Sequence, residues 1–145
     1  MKALIQRVST AHVAVDGEII GRIERGLLVL LGVEKGDTQT NAARMLERLL
    51  GYRVFPDEQQ RMNRNVVEAG GGLLVVSQFT LAADTAKGTR PSFSSAAPPA
   101  EAEQLYEWLL TELRAKHGPI ACGSFGADMQ VHLINDGPVT FLLEA

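Results

Sequence analysis

The chain has 145 residues, 46% of them hydrophobic and 6% aromatic, and a formal net charge of −3 at pH 7. A chain of this length and composition buries a core without disulfides or metal, so a single domain over residues 1–145 is expected and disorder is excluded. The acidic balance excludes a protein that coats nucleic acid by bulk electrostatics, so any RNA contact must be local, and the lone Cys122 excludes an internal disulfide or a cysteine-based zinc cluster.

The first third reads as strands. Lys2–Val8 and Ala11–Val15 lead to a turn at Asp16-Gly17, then Glu18–Glu24, a turn at Arg25-Gly26 and the apolar run Leu27–Val33. This order predicts an antiparallel meander. Leu27 to Leu31 do not alternate, the pattern of a strand covered on both faces, and the flanking Gly26 and Gly32 favour strand over a short buried helix. Asp37 or Thr38 can cap a helix with Ala42, Met45, Leu46, Leu49 and Leu50 on one face, Arg44, Glu47 and Arg48 toward water, and Gly51 at its end. A short strand, Tyr52–Phe55, leads into the polar loop Pro56–Asn65. Gly70–Gly72 then turns the chain into the strand Leu73–Val76, which ends in Ser77-Gln78.

Ala82 to Pro99 is the longest irregular stretch, and long loops in compact domains are often functional. A second helix runs from about Ala100 to His117, with Leu105, Trp108, Leu109 and Leu113 on its buried stripe and Gly118-Pro119 stopping it. Ile120–Phe125, with Cys122 as a packing residue, Asp128–Ile134 and Val139–Glu144 again read as strands. Strands, helix, strands, helix, strands is the order of an α+β fold with a largely antiparallel sheet and two main helices; a barrel-like curved sheet is compatible with that order but not fixed by it. No apolar stretch approaches the roughly 20 residues that span a bilayer, and Met1–Thr10 lacks a secretory pattern. No membrane partner and a cytoplasmic location are therefore expected.

The common chemical constellations are missing: no phosphate-binding loop, dinucleotide glycine fingerprint, paired zinc histidines or nucleophile elbow. Gly70–Gly72 reads as a plain turn. His12, His117 and His132 are scattered, so neither a metal nor a cofactor is expected; His132 reads as a half-exposed strand residue and His117 as a partner of a helix C-terminus. Two segments carry more. Ser77-Gln78-Phe79-Thr80-Leu81 ends an apolar strand in polar side chains just before the long loop, though these are also ordinary turn formers. Asn135-Asp136-Gly137-Pro138 reads as a tight turn of a terminal hairpin.

Together, Ser77–Leu81 and Asn135-Asp136-Gly137-Pro138-Val139-Thr140 resemble the two signature motifs of the D-aminoacyl-tRNA deacylase family. The resemblance extends over Met1–Val8, Gly26–Val33, Arg61-Met62-Asn63, the loop Lys87–Phe93 with Arg90-Pro91-Ser92-Phe93, and Phe125–Met129, which is essentially the whole chain. It implies a homodimeric carboxylic ester hydrolase, without cofactor, that frees D-amino acids, and glycine mischarged on tRNA(Ala), from the 3′ end of tRNA. By the same resemblance the Gly137-Pro138 bond is cis. Its carbonyls project into the partner's pocket at Ser77, Gln78, Phe79 and Thr80 and reject L-aminoacyl-tRNA, with Arg7 holding this gate. Backbone N–H groups around Gln78, Phe79 and Thr80 would stabilise the oxyanion. Thr80 has no His or Lys beside it in the motif to take its proton, which favours assistance by the tRNA 2′-hydroxyl over nucleophilic attack by Thr80. Lys87 and Arg90 are candidates for the RNA phosphates or terminal adenosine. No DNA partner is expected. The rival readings are a non-enzymatic nucleic-acid-binding dimer and a small-ester hydrolase unrelated to tRNA.

Overall fold

The computed structural model describes residues 1–145 and is organised around one long strand, β1 (Lys2–Val15). β1 joins the two short strands expected there, and a bulge at Ser9 marks their boundary: Val8 pairs with Asn135 and Thr10 with Ile134. β2 (Glu18–Ile23) and β3 (Gly26–Gly32) both lie antiparallel to β1. Ala11 faces Ile23 and Val8 faces Gly26, so the register runs unbroken past Glu24-Arg25. The expected meander is therefore a single long hairpin. Its turn at Asp16-Gly17 has positive φ at both residues, which is the twist-matched geometry for a two-residue connection.

Helix α1 (Gln39–Gly51) is capped at Thr38, whose N–H donates to Asn41 Oδ1 at 2.9 Å, while Asp37 instead accepts the Glu34 N–H. Ala42, Met45, Leu46 and Leu49 are buried, as their spacing predicts. The expected strand Tyr52–Phe55 is reduced to β4 (Phe55–Pro56), which pairs with β5 (Met62–Arg64) inside what the polar composition presents as loop. Asp57 organises that ribbon by accepting the N–H groups of Gln59 and Arg61 and the Asn63 amide.

β6 (Gly72–Ser77) adds parallel to β3, and β7 (Ile120–Cys122) adds parallel to β6. The curved sheet is thus mixed rather than wholly antiparallel, the α+β class being as expected. Helix α2 (Pro99–Lys116) buries Ala102, Tyr106, Leu109, Leu110 and Leu113, while Leu105 and Trp108 are only partly buried; the stripe is rotated from the predicted one. β8 (Gln130–Glu144) runs antiparallel to β1 along its other edge. It replaces the predicted terminal hairpin.

β3 and β6 are covered on both faces, which explains their unbroken apolar runs. Leu27, Val29, Leu73 and Val75 pack with the helices, whereas Leu28, Leu74 and Val76 join Val8, Ala11, Val13 and Ile23 inside the curl of the sheet. The curl nearly closes where β2 meets β7: a Cβ at Gly21 would lie 2.6 Å from the Cys122 carbonyl oxygen. Cys122 packs at the core margin, half-buried, and its Sγ accepts a hydrogen bond from Arg114 at 3.3 Å.

Candidate active site

Ser77 closes β6 in register with Leu31, and the Gln78 N–H donates to the Leu31 carbonyl at 2.7 Å. The chain then leaves the sheet in a single 3-10 turn, Phe79–Ala82. A cavity of about 440 Å³ opens at this exit, a size typical of small-molecule sites. Leu31, Val33 and Val76 wall it from the sheet, Ala102 and Tyr106 from α2, and Phe125–Met129 with Val131 from the approach to β8. Ser77, Gln78 and Phe79 stand at its polar end.

The first N–H groups of a 3-10 turn have no partner inside it, which leaves those of Phe79 and Thr80 as donors, whereas the Gln78 N–H is spent on the sheet. The Gln78 side-chain amide donates to Thr80 Oγ1. No histidine, lysine or carboxylate bonds that hydroxyl. Phe79 is 59% exposed and packs, at 5.1 Å between ring centroids, on Phe93 from the long loop. The loop is pinned by mutual backbone bonds between Asp84 and Ser92 and by Ser95 Oγ donating to the Ala82 carbonyl. Lys87 and Arg90 lie exposed beyond these clasps and do not line the cavity.

Two cavity residues are not among the expected site residues, although Asp128 lies in the Phe125–Met129 segment of the resemblance. Tyr106 Oη donates to the Val75 carbonyl at 2.9 Å, and burial pushes its phenol far above the ordinary range, so it is a fixed neutral donor rather than an acid or base. Its signal was the spacing from Ala102 to Leu109, Leu110 and Leu113. Asp128 is the only ionisable carboxylate in the lining, and no motif of general chemistry marks it.

The second signature segment lies elsewhere in the chain. Gln6 pairs with Thr140 and Val8 with Asn135, so Asp136–Val139 bulge out of β8 opposite the single residue Arg7. The Gly137-Pro138 peptide is cis. Gly137 has φ +146, and a Cβ there would sit 2.5 Å from Val139 Cγ2. Arg7, with its side chain 12% exposed, donates from Nε to the Asp136 carbonyl at 3.1 Å and from Nη1 to the Val54 carbonyl at 2.7 Å. Asn135 Nδ2 closes the bulge by donating to the carbonyls of Arg7 and Val139.

Within one chain the two segments do not face each other. Ser77 stands in the row of Leu31 and Ala3, the bulge in the row of Arg7, and β8, β1, β3 and β6 lie in that order. The offset is about 13 Å along β1 and about 14 Å across the strands.

Comparison with known proteins settles the family. The profile described as D-Tyr-tRNA(Tyr) deacylase matches residues 4–144. The chain belongs to that family. It is therefore a member of a hydrolase family, and its relatives match from end to end. A protein of Stutzerimonas stutzeri named D-aminoacyl-tRNA deacylase is 65% identical over 100% of both chains. One of the same name from Cellvibrio japonicus is 58% identical over 99% of both. Among solved structures, one titled c-Myc DNA Unwinding Element Binding Protein superposes with a TM-score of 0.96 at 45% identity, covering 100% of this chain and 99% of that one. Another, titled as a probable eukaryotic D-amino acid tRNA deacylase, has a TM-score of 0.82 at 16% identity over 99% of this chain and 98% of that one, and so shares the fold.

Proposed function

We propose that this deacylase-family chain hydrolyses the ester between a D-amino acid and the 3′ end of tRNA, admits glycine mischarged on tRNA(Ala), and rejects L-aminoacyl-tRNA, a proofreading activity of the cytoplasm. The observation that carries this reading is the cavity at the end of β6, whose mouth bears Ser77, Gln78, Phe79 and the adjoining Thr80 with no base bonded to the Thr80 hydroxyl. Such a site binds and polarises an ester without supplying a nucleophile of its own. The Phe79 and Thr80 N–H groups meet the oxyanion, where each well-placed donor is worth about 10²–10³ in rate. The attacking water is oriented by the ribose 2′-hydroxyl of the substrate.

The gate at Gly137 and Pro138 is supplied by a second copy of the chain, because within one copy it lies too far from Ser77–Thr80 to touch the same substrate. Arg7 and Asn135 hold the bulge rigid. A backbone wall beside the substrate α-carbon leaves room for hydrogen or a D side chain and collides with an L side chain. Lys87 and Arg90 meet RNA phosphates near the mouth.

Release of D-tyrosine from D-tyrosyl-tRNA, with the tRNA recovered intact, tests the reaction; an undamaged ester after long incubation would refute it. A second reading, a nucleic-acid-binding module without turnover, is favoured by the name of the 45% identical structure. Tight binding of that element's DNA with no ester cleavage would select it.

A further inference from the structure

His12 occupies the centre of a cross-strand row outside the cavity. It pairs in register with Arg22 of β2 on one edge and with His132 of β8 on the other, so all three side chains leave the same face of the sheet. The two imidazoles stack with centroids 4.3 Å apart and planes 14° from parallel. Arg22 and His132 are exposed and His12 is half-buried. Like charges directly opposite one another across strands are destabilising, so the row is disfavoured when its imidazoles carry protons. None of the three forms a salt bridge. Of the other charged groups on these strands, Glu18 opens β2 and Glu24 follows its last residue, both without an ion pair; Asp136 is taken by Arg7, and Lys2 and Glu144 lie at the far end of the sheet.

We infer that the Arg22–His12–His132 row is a binding track for the phosphodiester backbone of RNA, an inference that rests on reading the substrate as aminoacyl-tRNA. The row spans about 10 Å across three strands. It offers a guanidinium and two imidazoles as donors, the groups that phosphate oxygens accept. His132 follows Val131, a wall residue of the cavity, and β8 has β1 as its only strand neighbour. An RNA whose 3′ end fills the cavity therefore has to pass over a single strand to reach the row.

The track is sensitive to pH. Partial burial, His132 and Arg22 all disfavour the His12 cation, holding it below the ordinary histidine range in the free protein. A phosphate lying on the row reverses that bias, so binding takes up protons and the affinity for RNA rises as the medium becomes more acidic.

The test measures binding of uncharged tRNA to the full-length protein at about pH 8 and about pH 6, the window in which histidine titrates. Wild type, the double variant H12Q/H132Q and R22Q are compared. Wild-type affinity is expected to rise about tenfold across that window and the double variant to lose the pH dependence, whereas R22Q weakens binding at both values and lowers the salt slope by about one. Hydrolysis of D-tyrosyl-adenosine, which has no phosphate to meet the row, should be unchanged in all three and reports that the cavity is intact. RNA binding that ignores pH in wild type, or that keeps its pH dependence in H12Q/H132Q, overturns the track. Failure of the wild type to hydrolyse D-tyrosyl-tRNA overturns the substrate reading instead, whatever the binding shows.

Discussion

Replacing Gly137 by alanine probes the bulge that the account makes responsible for stereochemical choice. The new Cβ would lie 2.5 Å from Val139 Cγ2 and 2.8 Å from the Val139 backbone nitrogen, at a φ of +146 that L residues rarely adopt. Carbon pairs settle at about 3.5–4.0 Å, so the contact must open by about 1 Å. Val139 cannot yield easily because it is 6% exposed and part of the core. Holding a residue in so sparse a region costs about 1–3 kcal/mol, and the displacement falls on carbonyls that Arg7 and Asn135 otherwise hold in place. Urea denaturation should therefore show a loss of about 1–3 kcal/mol. Deacylation of D- and L-tyrosyl-tRNA by the variant should show the preference for the D ester reduced by at least about tenfold, the equivalent of about 1.4 kcal/mol at the reacting centre. A variant with wild-type stability and an unchanged D-to-L ratio would refute both the packing argument and the gate.

Tyr106→Phe removes one of the two donors to the buried Val75 carbonyl, the Gly123 N–H remaining at 3.0 Å, and should cost about 0.5–1.5 kcal/mol in a denaturant melt; a loss well above that range would mean that the Gly123 bond fails together with the hydroxyl. Thr80→Ala should keep substrate turnover within about tenfold of wild type, since no base is placed to activate the hydroxyl, and abolition of turnover with binding intact would make Thr80 the nucleophile. Asp128→Asn tests the one carboxylate in the cavity: single-turnover rates should fall by less than about tenfold, and a loss of about 10²–10⁴ would reassign it as general base. The Asp57 carboxyl is held low by the Asn63 amide and by the N–H groups of Arg61 and Gln59. Because its folded pKa is depressed, the stability it gives the β4–β5 ribbon is present above the ordinary aspartate range and disappears as pH falls through the lowered value. An NMR titration that returned an ordinary Asp57 pKa would contradict this.

The elements were mostly legible because their signals are local. Gly26 and Gly32 bracketing five apolar residues marked a strand buried on both faces, and β3 lies between two cores. Pairing was less legible. Asp16-Gly17 announces one turn, but nothing in Glu24-Arg25 says that β3 continues along the strand β2 has left, and the parallel addition of β6 and β7 rests on long-range contacts. Asn135-Asp136-Gly137-Pro138 has the composition of a hairpin turn, yet β1 pairs with the chain on both sides of it and turns it into a bulge. That outcome depends on Arg7, more than a hundred positions away in the sequence. In α2 the apolar residues are numerous enough to define more than one stripe, and the cavity chose the one containing Tyr106. The Ser77–Thr80 segment was found at a strand end, but the cavity beside it is made by α2 and the approach to β8, which the sequence does not place together.

The most direct test is a pair of deacylation time courses on one tRNA charged with D-tyrosine or L-tyrosine, at equal enzyme concentration. The account predicts rapid loss of the D ester while the L ester persists as it does without enzyme. Equal loss of both esters would contradict the gate, and loss of neither would contradict the reaction itself.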